Sequence, residues 1–155
     1  HPGHRYLRTE RTQPSPRSTP CRGWFGAARC ALRSIAEAAP AAIGPYSQAI
    51  SAGGFLFVSG QIPIDPATGA LVEGDVARRT EQCFDNLFGV LAAAGLTPED
   101  VVKINVFLTD MDDFEEMNRV YASRFVEPFP ARTTIGVASL PLGSNIEIDL
   151  IAQRR

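Results

Sequence analysis

The stretch that decides the fold is residues 130–152, which read PARTTIGVASLPLGSNIEIDLIA. RTTIGVA is β-branched and apolar, LPLGSN carries turn residues, and IEIDLIA alternates between apolar and polar positions. The pattern predicts two strands joined by a short turn, which is a β-hairpin. Side chains alternate along a strand, so the apolar residues of IEIDLIA share one face and Glu147 and Asp149 lie on the other.

Two residues of this predicted hairpin carry chemistry. Arg132 opens the first strand and Glu147 lies in the second. A guanidinium group presents a planar fork of donors that binds a carboxylate through two hydrogen bonds. A carboxylate can hold a water molecule or move a proton. The pair therefore suggests a polar site, and the plainer alternative is a surface or half-buried ion pair between two strands.

The charge of the chain is unevenly distributed. The 155 residues are enough for one domain with its own core. Residues 1–33 hold seven Arg and one Glu, a net charge of +6, whereas residues 34–155 hold eight Lys or Arg and sixteen acids, a net charge of −8. We therefore divide the chain into a basic extension, residues 1–33, and a globular domain, residues 34–155.

The extension is rich in Arg, Ser, Thr and Pro and has no apolar periodicity. Three interpretations remain open: an organellar transit peptide, an upstream segment without a role, or a basic arm that binds nucleic acid. We expect it to be poorly ordered, because it buries too little to offset its ordering entropy. The sequence has no apolar run of about 18 residues, so it predicts no membrane-spanning helix. The expected location is cytoplasmic, or the mitochondrial or plastid matrix if the extension is a transit peptide.

The residue types of the domain restrict its chemistry. Both histidines, His1 and His4, lie in the extension, so residues 34–155 contain none. This excludes Ser-His-Asp and Cys-His catalysis and His-based metal sites in the domain. The three cysteines form no CxxC motif, and Cys83 falls in a helical pattern, where we interpret it as a small apolar core residue. Acid–base chemistry must then come from carboxylates, tyrosine or bound water.

Local patterns predict the remaining elements. A short strand ends at the Gly53-Gly54 turn, and FLFVSG follows as a buried strand. A helix begins after Asp75 as N-cap and stops at Gly95, and a strong strand covers residues 101–110.

A second helix completes the order. Asp112 and Glu115 form a capping-box pattern at its start. The resulting order, β-β-α-β-α-β-β, predicts an α+β domain with one sheet and two helices on the same face, because such crossovers are right-handed. The other face of the sheet then carries apolar side chains without a cover. We expect it to be covered by further copies of the chain, in a homo-oligomer of cyclic symmetry.

Five segments, in this order, resemble the RidA family, also called YjgF: GPYSQAI (44–50), VSGQIP (58–63), MNRVYASRF (117–125), PARTT (130–134) and IEIDLIA (146–152). The resemblance covers the domain and leaves the extension outside. It implies a chorismate-mutase-like fold and homotrimers with sites at the subunit interfaces. It also implies hydrolytic deamination of reactive enamines and imines, such as 2-aminoacrylate, 2-iminopropanoate and 2-iminobutanoate, to 2-keto acids and ammonia. Such family enzymes use no cofactor and no metal.

The resemblance also implies roles for three residues in catalysis. Arg132 matches the arginine that clamps the substrate carboxylate, and Glu147 matches the glutamate that positions the attacking water. Tyr46 matches the tyrosine that lines the cleft. On its residue type alone, Tyr46 has the alternative of being a core or interface aromatic.

Four further residues are implied in substrate binding. Ser59, Gly60 and Asn118 match positions that line the cleft, although the two polar side chains have the alternative of being satisfied structural groups. Thr134 departs from those family members that carry a cysteine at this position, so a reactive thiol is absent there.

Two other functions remain as alternatives. One is a non-catalytic trimer that binds small ligands or acts as a chaperone. The other is an endoribonuclease that inhibits translation, a function described for some family members. The net charge of −8 on residues 34–155 opposes phosphate binding, so we expect neither a nucleic-acid nor a membrane partner.

Overall fold

The structure, a computed structural model, describes the backbone of residues 30–32 and all of residues 37–154. One sheet has the strand order β1-β2-β3-β6-β4-β5 and is accompanied by two helices. The elements are β1 Cys30–Leu32, β2 Ala49–Ala52, β3 Phe55–Gln61, α1 Val76–Ala93, β4 Val101–Leu108, α2 Phe114–Arg124, β5 Ala131–Gly136 and β6 Ile146–Gln153. From β2 onward the order is the predicted one, and the α+β fold class is confirmed.

Strand β1 lies within the segment that the sequence assigned to a poorly ordered extension. It pairs antiparallel with β2, from Cys30 opposite Ser51 to Leu32 opposite Ala49. The other residues of the predicted extension lie outside the described residues. The sheet therefore starts before the predicted domain boundary at residue 34. The edge of β2 offers unpaired backbone groups to any extended segment, which composition alone does not reveal.

The predicted hairpin over residues 130–152 is wrong, although both of its strands exist. Strand β5 pairs in parallel with β4, while β6 lies between β3 and β4 and is antiparallel to both. The connection, residues 137–145, is longer than the roughly two to five residues of a hairpin loop. It carries the chain past β4, so the two strands are not neighbours.

A true hairpin joins β2 to β3, as predicted. Gly53 and Gly54 have φ angles of 58° and 83°. A type I′ turn requires positive φ at both central residues, which glycine adopts without steric cost. This turn fixes the register in which Ala49 faces Val58.

The start of α1 follows the prediction and the start of α2 does not. The Asp75 side chain accepts a hydrogen bond of 2.9 Å from the N–H of Arg78, as an N-cap should. Helix α2 begins only at Phe114, without a capping side-chain bond, so the predicted capping box at Asp112 is wrong. A short 3-10 turn precedes it, in which Asp110 accepts from the N–H of Asp112. Several acidic residues precede the helix, so the sequence alone offers more than one candidate for its N-cap.

Both helices pack on one face of the sheet, which we call the inner face. Its strand residues Ile146, Ile148 and Leu150 are at most 1% exposed and belong to the same core as Phe84 of α1 and Met117 of α2. No helix of residues 37–154 is long and apolar enough to cross a membrane.

The opposite, outer face has no cover within the described residues. Phe57 and Ile135 lie on it and are each 44% exposed. The face is more polar than predicted, because β4 turns Lys103 and Asn105 outward among its apolar residues. Asn105 donates a hydrogen bond of 2.8 Å to Asp149 of β6.

Candidate active site

Four of the predicted site residues line one pocket of about 530 Å³: Tyr46, Ser59, Gly60 and Glu147. The rest of its lining is mainly apolar, including Ile62 from the segment after β3. The pocket thus joins one carboxylate to a largely apolar wall, an arrangement common in small-molecule sites. We call it the Glu147 pocket.

Glycine at position 60 allows the carboxylate of Glu147 to lie against strand β3. A Cβ atom at Gly60 would overlap the Oε1 atom of Glu147 and come within 3.0 Å of its Cδ atom. The pairing of β3 with β6 is irregular at this point, between Val58 and Gln61. Such irregularities often change the direction in which side chains point beside functional sites.

Ser59 holds the segment that carries Tyr46. Its hydroxyl donates a hydrogen bond of 2.6 Å to the carbonyl of Ser47. The Tyr46 hydroxyl accepts a hydrogen bond of 3.3 Å from the N–H of Ile43. Tyr46 is 47% exposed, which excludes the alternative of a core aromatic within this chain. Ser59 therefore positions the pocket's rim as well as lining it.

The surroundings of Glu147 raise the pKa of its carboxyl group above the ordinary value. Burial raises the pKa of this half-buried carboxyl, and the nearby charge of Asp149 raises its pKa further. A raised pKa makes the carboxylate a stronger base, which favours general-base catalysis.

Arg132 lies in a separate pocket of about 430 Å³, together with Asn118, Tyr121 and Phe129. The Arg132 guanidinium donates a hydrogen bond of 2.7 Å to Asn118 Oδ1, and its Cζ atom lies 4.5 Å from the Tyr121 ring centroid. Its Cζ atom also lies 5.6 Å from the Phe114 ring centroid, so helix α2 fixes the guanidinium by one amide and two cation–π contacts. We call this the Arg132 pocket.

The Arg132 charge has no carboxylate partner among residues 37–154. The alternative of an ion pair with Glu147 is therefore wrong for this chain. A guanidinium that is oriented but not neutralised is suited to binding an anionic group from outside.

Two hydroxyl groups near Arg132 are buried and have no hydrogen-bond partner within the described residues: those of Tyr121 and Thr134. Thr134 lies two residues after Arg132 and therefore on the same face of β5. Burial raises the pKa of Tyr121, and the Arg132 charge partly opposes this shift in pKa. Buried hydroxyls without partners are uncommon, and nothing else among the described residues accounts for these two.

Tyr121 was missed as a site residue, because the sequence placed it on the apolar stripe of the second helix. It does belong to the core, with 5% of its surface exposed. Its distance of three residues from Asn118 was the available signal, since residues i and i+3 share a helix face. The same side chain packs in the core and supports Arg132.

The two pockets lie on opposite faces of the sheet. Arg132 is paired with Ile104, which is fully buried on the inner face, whereas Glu147 is paired with Phe107. Ile104 and Phe107 are an odd number of residues apart on β4, so their side chains point to opposite faces. The prediction that one hairpin brings Arg132 and Glu147 together is therefore wrong within a single chain.

The described residues contain no group of three or more His, Cys, Asp or Glu that could hold a metal ion. The polar groups of both pockets are instead one guanidinium, one carboxylate, amides and hydroxyls.

The family model described as Endoribonuclease L-PSP matches residues 36–154. The chain belongs to this family. It is 52% identical to a RutC family protein of Pyrococcus horikoshii, over 76% of this chain and 94% of the relative. It is 47% identical to the 2-iminobutanoate/2-iminopropanoate deaminase of Salmonella typhimurium, over 77% of this chain and 94% of that enzyme.

The solved structure of the YjgF gene product from E. coli has the same fold. It superimposes with a TM-score of 0.76 at 43% identity, covering 81% of this chain and 99% of that one. The resemblance to the RidA/YjgF proteins that the sequence motifs indicated is thereby confirmed.

Proposed function

We propose that the protein hydrolyses reactive enamine and imine intermediates of 2-amino acids to 2-keto acids and ammonia. The substrates are 2-aminoacrylate, 2-iminopropanoate and 2-iminobutanoate. The observation that carries the proposal is the pairing of chemistries: Arg132 is an oriented, unneutralised guanidinium, and Glu147 is a carboxylate with a raised pKa. A relative at 47% identity that bears the deaminase name supports the same reaction.

We further propose that the complete site forms between two copies of the chain in a homotrimer. Arg132 and Glu147 lie on opposite faces of the sheet in one copy, so one small molecule cannot contact both. If the Arg132 pocket of one copy meets the Glu147 pocket of the next, each cleft contains an anchor and a base. Cyclic assembly repeats this contact and covers the outer face, where Phe57 is exposed.

In the proposed mechanism, the substrate carboxylate binds the guanidinium fork of Arg132. The Asn118 side chain holds the guanidinium in place for this contact. The enamine tautomerises to the imine before attack, which moves one proton from nitrogen to carbon. Fixing the imine in this way contributes proximity and orientation.

Glu147 then holds a water molecule and accepts its proton as the oxygen attacks the carbon of the C=N bond. The carbinolamine formed has one new C–O bond. Glu147 returns the proton to the nitrogen, which completes the neutral carbinolamine. Glu147 then takes the hydroxyl proton and passes it to the nitrogen as the C–N bond breaks, so that the C–O bond becomes the carbonyl of the 2-keto acid and ammonia leaves. Proton transfer by a positioned carboxylate typically contributes about 10²–10⁴-fold in rate.

The direct test is deamination of 2-aminoacrylate generated in situ by a dehydratase, with wild type beside Arg132→Ala. Arg119→Ala is the matched control, because Arg119 is a surface arginine of α2 whose side chain is 75% exposed. We expect wild type and Arg119→Ala to accelerate keto-acid formation and Arg132→Ala to lose the acceleration. A folded wild type that does not accelerate the reaction would contradict the proposal.

The main alternative is a non-catalytic trimer that binds small keto or amino acids in the same clefts. Such a protein needs Arg132 as an anchor but gains nothing from a carboxylate with a raised pKa. Retention of ligand binding without any hydrolysis by wild type would favour this alternative.

A further inference from the structure

Three polar side chains on one face of α1 form a continuous chain of hydrogen bonds. Arg78 donates to Gln82 Oε1 at 3.2 Å, and Gln82 Nε2 donates to Asn86 Oδ1 at 3.0 Å. Their spacing of four residues places them one above the other along the helix. Gln82 is 7% exposed and Asn86 is fully buried.

The chain ends on the backbone of the segment that follows β3. Asn86 Nδ2 donates to the carbonyl of Ile64 at 2.9 Å and to the carbonyl of Ile62 at 3.4 Å. The same segment is tightened by a bond of 2.7 Å from the N–H of Ile64 to the carbonyl of Ile62. Ile62 and Ile64 both line the Glu147 pocket. The helix therefore holds one wall of that pocket through Asn86.

The charge of Arg78 determines which group donates and which accepts in each of these hydrogen bonds. A guanidinium group only donates, so Gln82 must turn its oxygen toward Arg78 and its NH₂ group toward Asn86. Asn86 must then turn its own NH₂ group toward the two carbonyls. Buried amides cost free energy unless their partners are present, and a packing role alone would be served by apolar residues.

We propose that Asn86 and Gln82 are positioning residues of the deaminase, which hold the wall formed by residues 62–64 so that water is fixed beside Glu147. This inference rests on the proposed function. Ile62, Ile64 and Glu147 line the same pocket, so the wall borders the carboxylate. A wall that moves admits bulk water and loosens the water that attacks the substrate.

The position of the wall predicts which kinetic constant changes. In the proposed shared site, the Arg132 pocket of another copy holds the substrate carboxylate, and Asn86 makes no contribution to that pocket. Loss of Asn86 therefore lowers kcat and leaves KM unchanged, whereas loss of the anchor raises KM. If Asn86 had a purely structural role, its loss would reduce the amount of folded protein and would not lower kcat selectively over KM.

The experiment compares Asn86→Leu and Gln82→Met with Thr80→Val. Thr80 is a matched control, because it is fully buried on the same helix and donates only within it, to the carbonyl of Val76 at 2.6 Å. We expect kcat of Asn86→Leu to fall about 10- to 100-fold, since a misplacement of about 1 Å can cost 10²-fold. The fall is smaller for Gln82→Met, which leaves Asn86 in place, and absent for Thr80→Val.

Amide hydrogen exchange gives a readout that does not depend on turnover. The N–H of Ile64, which bonds to Ile62, and the N–H of Val72, which bonds to Pro63 at 2.9 Å, report on the wall. Both should exchange faster in Asn86→Leu than in Thr80→Val. If Asn86→Leu does not fold, Gln82→Met carries the test with the same two readouts.

The outcomes separate this inference from the proposed function. An active wild type together with a folded Asn86→Leu or Gln82→Met of normal kcat would overturn the positioning role alone. A lowered kcat with unchanged exchange would also overturn it, because the wall would not have moved. An inactive wild type would overturn the proposed function and the positioning role with it.

Discussion

The Glu147 pocket and the Arg132 pocket differ in what each lacks. Glu147 lies on β6, within the sheet, against Gly60 and an apolar wall, and no cation of the described residues lines its pocket. Arg132 lies on the edge strand β5, among aromatic groups, and no carboxylate of the described residues lines its pocket. In the proposed reaction, each pocket supplies one half of the hydrolytic site. Arg132 and Glu147 of one copy lie on opposite faces of the sheet, so one small molecule cannot contact both.

The largest expected effect comes from removing the base while its shape is kept. Glu147→Gln should lower kcat by about 10²–10⁴-fold, the usual contribution of a positioned proton-transfer group. Binding of a 2-keto acid, measured by calorimetry, should persist because Arg132 is intact. Glu116→Gln is the control, since Glu116 pairs with Arg119 on the surface of α2. Equal loss of binding and turnover would mean that Glu147 acts as a ligand contact rather than as a base.

Arg132→Lys should have the next largest effect, because it keeps the charge and removes the fork. We expect a loss of about 10- to 100-fold in kcat/KM, mainly through KM, in line with about 1.5–3 kcal/mol for a charge-assisted hydrogen bond. Steady-state kinetics with Arg119→Lys as the control give the measurement. A near-normal kcat/KM of Arg132→Lys would show that charge alone is enough and would remove the clamp from the mechanism.

The smallest expected effect concerns the pH dependence of Glu147. The folded-state pKa of Glu147 is raised, and the active form is the carboxylate, so activity is lost as pH falls through that raised pKa. Asp149→Asn removes the second cause of the shift and should move the acid limb of the pH–rate profile to lower pH. Asp85→Asn is a control for net charge, because Asp85 pairs with Arg124 at the surface. An acid limb that moves equally in both variants would assign the effect to overall charge.

The same shift has a consequence for stability. A carboxyl whose pKa is raised by folding binds its proton more tightly in the folded state, so stability falls as pH rises from its ordinary pKa through its folded pKa. Glu147→Gln should therefore unfold at higher temperature than wild type at neutral pH and lose this advantage in acid. Base function and stability thus oppose each other at this position.

The sequence predicted the element types well because they depend on local patterns. Gly53-Gly54, Asp75 and the alternation of IEIDLIA each specify an element through its nearest neighbours along the chain. The predicted pairing of β5 with β6 is wrong because strand order depends on contacts between residues distant in sequence. In the structure β4 lies between the two strands and pairs with both. The start of α2 failed for a local reason, because consecutive acids allow alternative caps.

The sequence named the candidate residues of the site but did not predict how they are arranged. Arg132 and Asn118 do lie together, as do Tyr46, Ser59 and Glu147. Only the register of β4 against its two neighbours shows that these groups occupy opposite faces.

The most direct test of a site shared between copies is complementation. Arg132→Ala and Glu147→Gln are each expected to be inactive, and mixed trimers can be isolated after co-expression with two different tags. In a cyclic trimer of either mixed composition, one cleft combines the intact Arg132 of one copy with the intact Glu147 of its neighbour. We predict recovery of about one third of wild-type kcat per mixed trimer, because one of three equivalent clefts is restored. Mixed trimers that stay as inactive as the single variants would contradict the shared site and require both residues to act from the same chain.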